Sequence, residues 1–180
     1  MSITDVYERI RFRGRPRPNR EAVVVRGKAR FTVLTPRLLR LEWSERGEFE
    51  DRSTYAFPSR YTEVAPTFEV TEEDGWVGLD TGALELRYAQ ERGPFAPDSL
   101  TIAYELNDEV HVWRPGTPDV DNLKGTRRTL DRCAGDASLE PGLISRAGWA
   151  LFDDTKNVIY DDEGWVGPRP DAALQDWYFF

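Results

Sequence analysis

Ala29-Arg30-Phe31-Thr32-Val33-Leu34-Thr35, then Pro36-Arg37, then Leu38-Leu39-Arg40-Leu41-Glu42-Trp43 is the stretch that decides the fold. Phe31 and Val33 alternate with Arg30 and Thr32. Beyond the turn, Leu39, Leu41 and Trp43 alternate with Arg40 and Glu42. A period of two sends apolar side chains to one face of a strand and polar ones to the other, so the stretch reads as a half-buried antiparallel pair.

The same period spreads in both directions. Upstream, Val23, Val24 and Val25 precede Gly27. Downstream, Phe68 and Val70 lead through Glu73-Asp74-Gly75 into Trp76, Val77 and Leu79. Asp-Gly supplies the positive φ that a type I′ hairpin turn needs. Leu84, Leu86 and Tyr88 follow Thr81-Gly82; Leu100, Ile102 and Tyr104 follow Pro94 and Pro97; Asn107-Asp108-Glu109 turns the chain into Val110, Val112 and Trp113. Strand signals return at Trp149-Ala150-Leu151-Phe152, at Val158-Ile159-Tyr160 and at Trp165-Val166, with acidic turns between them. Between the two sets, residues 114–148 hold three prolines and few periodic apolar positions. They read as a long excursion over one end of a sheet, and loops of that length are usually functional or disordered. No segment supports a three-turn helix, and residues 4–10 offer one short turn at most. Many short strands with regular turn signals imply an all-β fold, an antiparallel β-sandwich. Residues 1–20 read as a separate N-terminal arm, in which Arg9, Arg11, Arg13, Arg15 and Arg17 alternate around Ile10 and Phe12 as an extended edge segment. Residues 21–180 form the sandwich.

Composition narrows the function. A net charge of -8 disfavours nucleic acid as a partner, and no run approaches the roughly 20 apolar residues of a spanning helix. Met1-Ser2-Ile3-Thr4-Asp5 lacks the layout of a secretory signal. That fits a cytoplasmic protein, or equally one whose signal has been removed. Cys133 stands alone, so there is no intrachain disulfide and no cysteine-based metal cage. His111 is the single histidine, through which any Ser-His-Asp triad would have to run. Asp153-Asp154 and Asp161-Asp162-Glu163 are read as acids of tight turns rather than as a calcium site, and no cofactor is expected. The chain ends on Asp176-Trp177-Tyr178-Phe179-Phe180. Such an aromatic run belongs inside a sheet, and the expectation is a protein that continues past it.

The most specific sequence lies in and after the excursion. It comprises Trp113-Arg114-Pro115-Gly116, Asp121-Asn122-Leu123-Lys124-Gly125-Thr126-Arg127-Arg128-Thr129-Leu130-Asp131, and Leu139-Glu140-Pro141-Gly142-Leu143-Ile144-Ser145-Arg146-Ala147-Gly148-Trp149-Ala150-Leu151. Gly164-Trp165-Val166, Pro168-Arg169-Pro170 and Gln175-Asp176-Trp177-Tyr178-Phe179-Phe180 come next in order. Together with Arg30-Phe31-Thr32-Val33-Leu34-Thr35 and Phe49-Glu50-Asp51-Arg52, this resembles the first domain of glycoside hydrolase family 31, in its bacterial α-glucosidase and α-transglucosylase branches. The likeness covers roughly residues 22–180.

The resemblance implies a galactose-mutarotase-like sandwich that precedes a catalytic (β/α)8 barrel. The parent protein would be an enzyme that hydrolyses or transfers α-linked sugars with retention. That chemistry uses a nucleophile and an acid/base carboxyl about 5–5.5 Å apart, both on the barrel. No residue of this chain is therefore expected to be catalytic, and the segment alone should be inactive. Its partners would be its own barrel and an α-linked oligosaccharide substrate, with a homodimer through the exposed docking face as a further expectation. In relatives a sandwich loop offers polar side chains to the sugar. The matching residues here are Asp131, as an acceptor for sugar hydroxyls, and Arg128, which would fix it. Two departures from the family pattern stand out. Lys124 replaces a glycine, implying that the turn does not need positive φ there, and Ala147 replaces an aspartate. Trp165 and Trp177 read as anchors for domain docking. Two rival readings are a stand-alone carbohydrate-binding module, which should present aligned exposed aromatics, and a plain structural or oligomerisation β-domain.

Overall fold

Strand alternation becomes two stacked sheets. The computed structural model describes residues 3–125, 129–135, 137–170 and 174–180. In chain order the elements are α1 (Ile3–Ile10), β1 (Val23–Arg26), β2 (Ala29–Thr35), β3 (Leu38–Ser44), β4 (Glu69–Glu73), β5 (Trp76–Asp80), β6 (Leu84–Ala89), β7 (Leu100–Leu106), β8 (Glu109–Trp113), β9 (Leu151–Asp153), β10 (Ile159–Tyr160), β11 (Val166–Gly167) and β12 (Leu174–Phe179). The first sheet runs β1-β2-β3-β12-β9 and the second β4-β5-β6-β7-β8, each antiparallel throughout; β10 and β11 make a small separate ribbon. The fold is an antiparallel β-sandwich.

The core between the sheets is the apolar half of the alternation. Phe31, Val33, Leu39, Leu41 and Phe179 from the first sheet meet Leu79, Leu86, Tyr88, Leu100 and Ile102 from the second, all essentially inaccessible to water. Full burial of each large side chain contributes about 1.5–3 kcal/mol. Hairpin chemistry behaves as the sequence implies. Asp74 and Gly75 have φ of 50° and 78°, and Asn107 and Asp108 have 55° and 64°, the signs of type I′ turns joining strands with right-handed twist. Phe179 pairs with Leu39 on one side and Leu151 on the other, so the aromatic strand lies inside the sheet. Trp177 is partly buried and packs inward against the core, its ring 5.8 Å from that of Phe95.

The outer face of the first sheet corrects the half-buried reading. Thr32, Arg40 and Glu42 are fully buried, and Arg30 nearly so. Residues 49–60 cross this face and cover it. The sheet register lines up Arg30, Glu42 and Asp176 across β2, β3 and β12, and beside them Thr32, Arg40 and Tyr178. Arg30 grips Glu42 through Nε at 2.6 Å and Nη2 at 2.8 Å, and Arg40 grips Asp176 at 2.8 and 2.7 Å. The covering segment joins them: the Glu50 carbonyl accepts from Arg40 at 3.0 Å, and Arg60 Nε donates to the Tyr178 hydroxyl at 2.5 Å. Phe57 stacks on Tyr178 with centroids 3.4 Å apart. Arg169 donates to Asp176 at 2.5 Å from the segment before β12. Alternation in sequence reports that two faces differ; it does not report whether the polar one stays wet.

Burial and pairing compete in this layer. For Asp176 burial pushes the carboxyl pKa up, but Arg40 and Arg169 together hold it below the ordinary value. Glu50 is likewise lowered, burial being outweighed by its bonds from Arg52. Burial wins at Glu42, which is raised despite Arg40 and Arg30. Desolvation also lifts the Tyr178 phenol against the pull of Arg40 and Arg60.

The N-terminal arm also differs from expectation. It begins with an eight-residue helix rather than a single turn, and residues 11–19 are irregular and join no sheet. The arm instead packs on the β10–β11 ribbon. Tyr7 donates to the Glu163 carbonyl at 2.6 Å, Arg11 donates to that of Asp162, and Phe12 stacks on Tyr160 at 3.8 Å. A Cβ on Gly164 would lie 3.0 Å from the Phe12 carbonyl. Among the described residues no helix is long and apolar enough to cross a membrane.

Candidate functional site

The excursion of residues 114–148 leaves the end of β8, an edge of the second sheet, and returns into β9, an edge of the first. It therefore spans the open side of the sandwich. No strand forms within its described residues, yet its base is firmly tied. Asn122 uses its whole amide. Nδ2 donates to Asp119 at 2.7 Å and to the Gly142 carbonyl at 2.9 Å, while Oδ1 accepts from the Gly142 and Lys124 N–H groups at 2.9 and 2.8 Å. Ser145 donates to the other oxygen of Asp119 at 2.5 Å. Backbone bonds from Leu123 to Ile144 and from Arg146 to Asp121 complete the clasp. Asparagine suits the position because one side chain supplies two donors and two acceptor sites in a plane.

The clasp resolves both departures noted in the sequence. Lys124 does adopt positive φ, 58°, and Gly125 after it 108°, so the expectation that lysine rules out that conformation is wrong. Asn122 Oδ1 accepts the Lys124 N–H and closes an Asx turn, offsetting the steric cost of a Cβ there. Ala147 works through its backbone: its N–H donates to Ser145 Oγ at 3.1 Å and its carbonyl accepts from the Tyr104 hydroxyl at 2.8 Å. Burial, with Asp119 nearby, raises the Tyr104 phenol pKa, which keeps it a donor. Gly148, at φ 77°, lies against Leu106, where a Cβ would come within 2.9 Å.

Above the clasp the chain is open to water. Leu123, Leu130, Leu143 and Ile144 are 52%, 65%, 56% and 68% exposed. Asp131, on the same excursion, is exposed, its N–H donating to Thr129 Oγ1 at 3.1 Å. Its carboxylate has no partner among the described residues. Arg128, expected to fix it, lies outside the described residues. Below the loop a groove of about 350 Å³ is bordered by Trp113, Trp149, Asp119, Asn122 and Gly142. Trp113 and Trp149 stand 5.9 Å apart and both pack on Phe179.

Sequence reasoning found the excursion, but not Asp119, whose two oxygens organise the clasp. The available signal was Asn122 ahead of Lys124-Gly125, an Asx-turn pattern that leaves the amide NH2 to find acceptors elsewhere. The acidic turns serve as caps: Asp161 Oδ1 accepts from the Glu163 and Trp165 N–H groups, and Asp153 Oδ1 from that of Thr155. Among the described residues no group of three His, Cys, Asp or Glu side chains is placed to hold a metal ion. Trp165 is half exposed, with Tyr7 5.6 Å away. No family model matches the chain, and no curated protein matches it.

Proposed function

We propose that this sandwich is the non-catalytic N-terminal domain of a retaining α-glycosidase of the family 31 type, working in the cytoplasm. It packs on the catalytic (β/α)8 barrel and lends the 114–148 excursion to the rim of the sugar site. The observation that carries this reading is the contrast within the excursion. A fully bonded clasp of Asp119, Asn122 and Ser145 holds a loop whose leucines and isoleucine face water. Apolar side chains displayed on a tethered loop are stabilised when another surface covers them. Asp131, on the same excursion and with no carboxylate partner among the described residues, is suited to accept hydroxyl protons from a sugar at that boundary.

The test uses the parent enzyme. Asp131→Ala is expected to raise KM or lower kcat/KM on α-linked disaccharides while the fold survives. Unchanged kinetics across several such substrates would retire the assignment. The isolated chain should not turn over p-nitrophenyl α-glucoside. The groove bordered by Trp149, Asp119 and Asn122 leaves one rival to test, a stand-alone carbohydrate module, although Trp113 beside it is buried. Calorimetry with maltose decides it: binding near micromolar would support a module, and millimolar or weaker binding supports a rim.

A further inference from the structure

Among the described residues β8 is an edge strand whose outer side is open: it pairs only with β7, through the two-residue turn at Asn107-Asp108, with Leu106 opposite Glu109, Tyr104 opposite His111 and Ile102 opposite Trp113. In a two-residue hairpin the flanking residues exchange both hydrogen bonds, and such pairs alternate along the ladder. Glu109, His111 and Trp113 therefore direct their backbone groups to β7. Val110 and Val112 direct theirs outward, and no backbone bond from either to another segment is present among the described residues. Their side chains lie on the outer sheet face, 75% and 54% exposed. The excursion does not cover them, since it runs past Tyr104 and Leu106 on the other side.

The sequence of this edge is complementary to itself. An antiparallel pairing about a two-fold axis at His111 sets Val110 opposite Val112 of a second copy, twice. The outward N–H and C=O groups of those residues fall in the hydrogen-bonded position that such a pair requires. The valines meet on one face as β-branched cross-strand neighbours. One step further out, exposed Asp108 faces exposed Arg114 of the other copy, again twice. Opposite charges thus bracket the apolar pair. The edge at the far side of the same sheet behaves in the reverse way. β4 reads Glu69-Val70-Thr71-Glu72-Glu73 with every residue exposed, and self-pairing about Thr71 would set Glu69 against Glu73. Like charges placed opposite one another block an edge.

We propose that β8 is the surface through which two copies of this chain associate, by strand pairing about His111 into one continuous sheet. The contact does not depend on the sugar-site reading, because it uses the outer edge of β8 and not the apolar loop. Sedimentation equilibrium of the chain should show a dimer, and hydrogen exchange should show the Val110 and Val112 amides slowing as concentration rises. Val112→Lys should halve the sedimenting mass, keep the β-sheet circular-dichroism spectrum and lose any rise of the thermal midpoint with concentration, while Val70→Lys on β4 stays dimeric. A chain that stays monomeric at high concentration overturns the proposal. So does a dimer whose Val110 and Val112 amides exchange as fast as in dilute solution; protection confined to residues 120–144 would place the contact on the loop instead.

Discussion

β3 carries two buried faces, and they are buried by opposite means. Its inner face sets Leu39, Leu41 and Trp43 against the second sheet; its outer face sets Arg40 and Glu42 under residues 49–60. Apolar burial is non-directional and degrades gradually as contacts are lost. The charged layer is directional and conditional, because every ion taken from water must keep its partners. One strand thus holds a tolerant interface and a brittle one back to back. The brittle one helps specify where the covering segment lies, since Arg40, Glu42 and Asp176 take bonds from or give bonds to the Glu50 backbone and Arg169.

The sharpest way to break this contrast is to truncate each face in turn. Arg40→Met leaves Asp176 and Glu42 buried with part of their counter-charge gone. It is expected to cost about 3–5 kcal/mol of unfolding free energy, measured by urea denaturation. Leu41→Ala on the opposite face removes packing and leaves a cavity, at about 2–5 kcal/mol. The two should differ in kind as well as size. Adding Asp176→Asn should recover part of the Arg40→Met loss by removing an unpaired charge, whereas nothing polar rescues Leu41→Ala. A loss under about 1 kcal/mol for Arg40→Met, the range of a surface pair, would mean that the layer is not closed to water.

Acid should attack one face and spare the other. Asp176 and Glu50 have folded pKa values below their ordinary ones. Each therefore contributes stability above its unfolded value, near 4, that is lost as pH falls through the folded value. Glu42 is raised, so its contribution has the opposite sign: present at low pH and lost as pH rises through its folded value. Below about pH 4 the lowered pair dominates, and stability should fall with acid. Asp176→Asn should flatten that limb by up to about 1.4 kcal/mol per pH unit, the limit for one proton. An unchanged slope in urea titrations from pH 5 to pH 2 would remove Asp176 from the account.

The same contrast explains what was legible beforehand. Inner-face residues announce themselves by period two, because the apolar effect needs no partner identity: Phe31, Leu41, Leu86 and Ile102 could be assigned from alternation alone. Arg40 and Glu42 look identical in sequence to wet residues, since their burial depends on a segment that forms no strand and on Asp176 more than a hundred positions away. The excursion was legible through its prolines and missing period. Asp119 within it was not, because a clasp is a geometric closure between residues 119, 122, 142 and 145, which no periodicity encodes. Lys124 shows how such a closure can overrule a residue's own conformational preference.

That clasp supplies the smallest and most local effect. Asn122 makes four hydrogen bonds, but all involve partly buried or exposed groups that water can replace when the side chain is removed. Asn122→Ala is therefore expected to cost only about 1–2 kcal/mol, well below the loss for either face of β3. Its signature should be regional. The bonds at Gly142 and Lys124 go, the turn at Lys124 loses the contact that offsets its left-handed backbone, and the excursion loosens as a unit while the sheets stay folded. Limited proteolysis should then cut faster within residues 120–145, with the thermal midpoint shifted by a few degrees. Equal acceleration of cleavage in β2 or β6 would show that the clasp supports the whole sandwich, and the division between a rigid body and a tethered loop would fail.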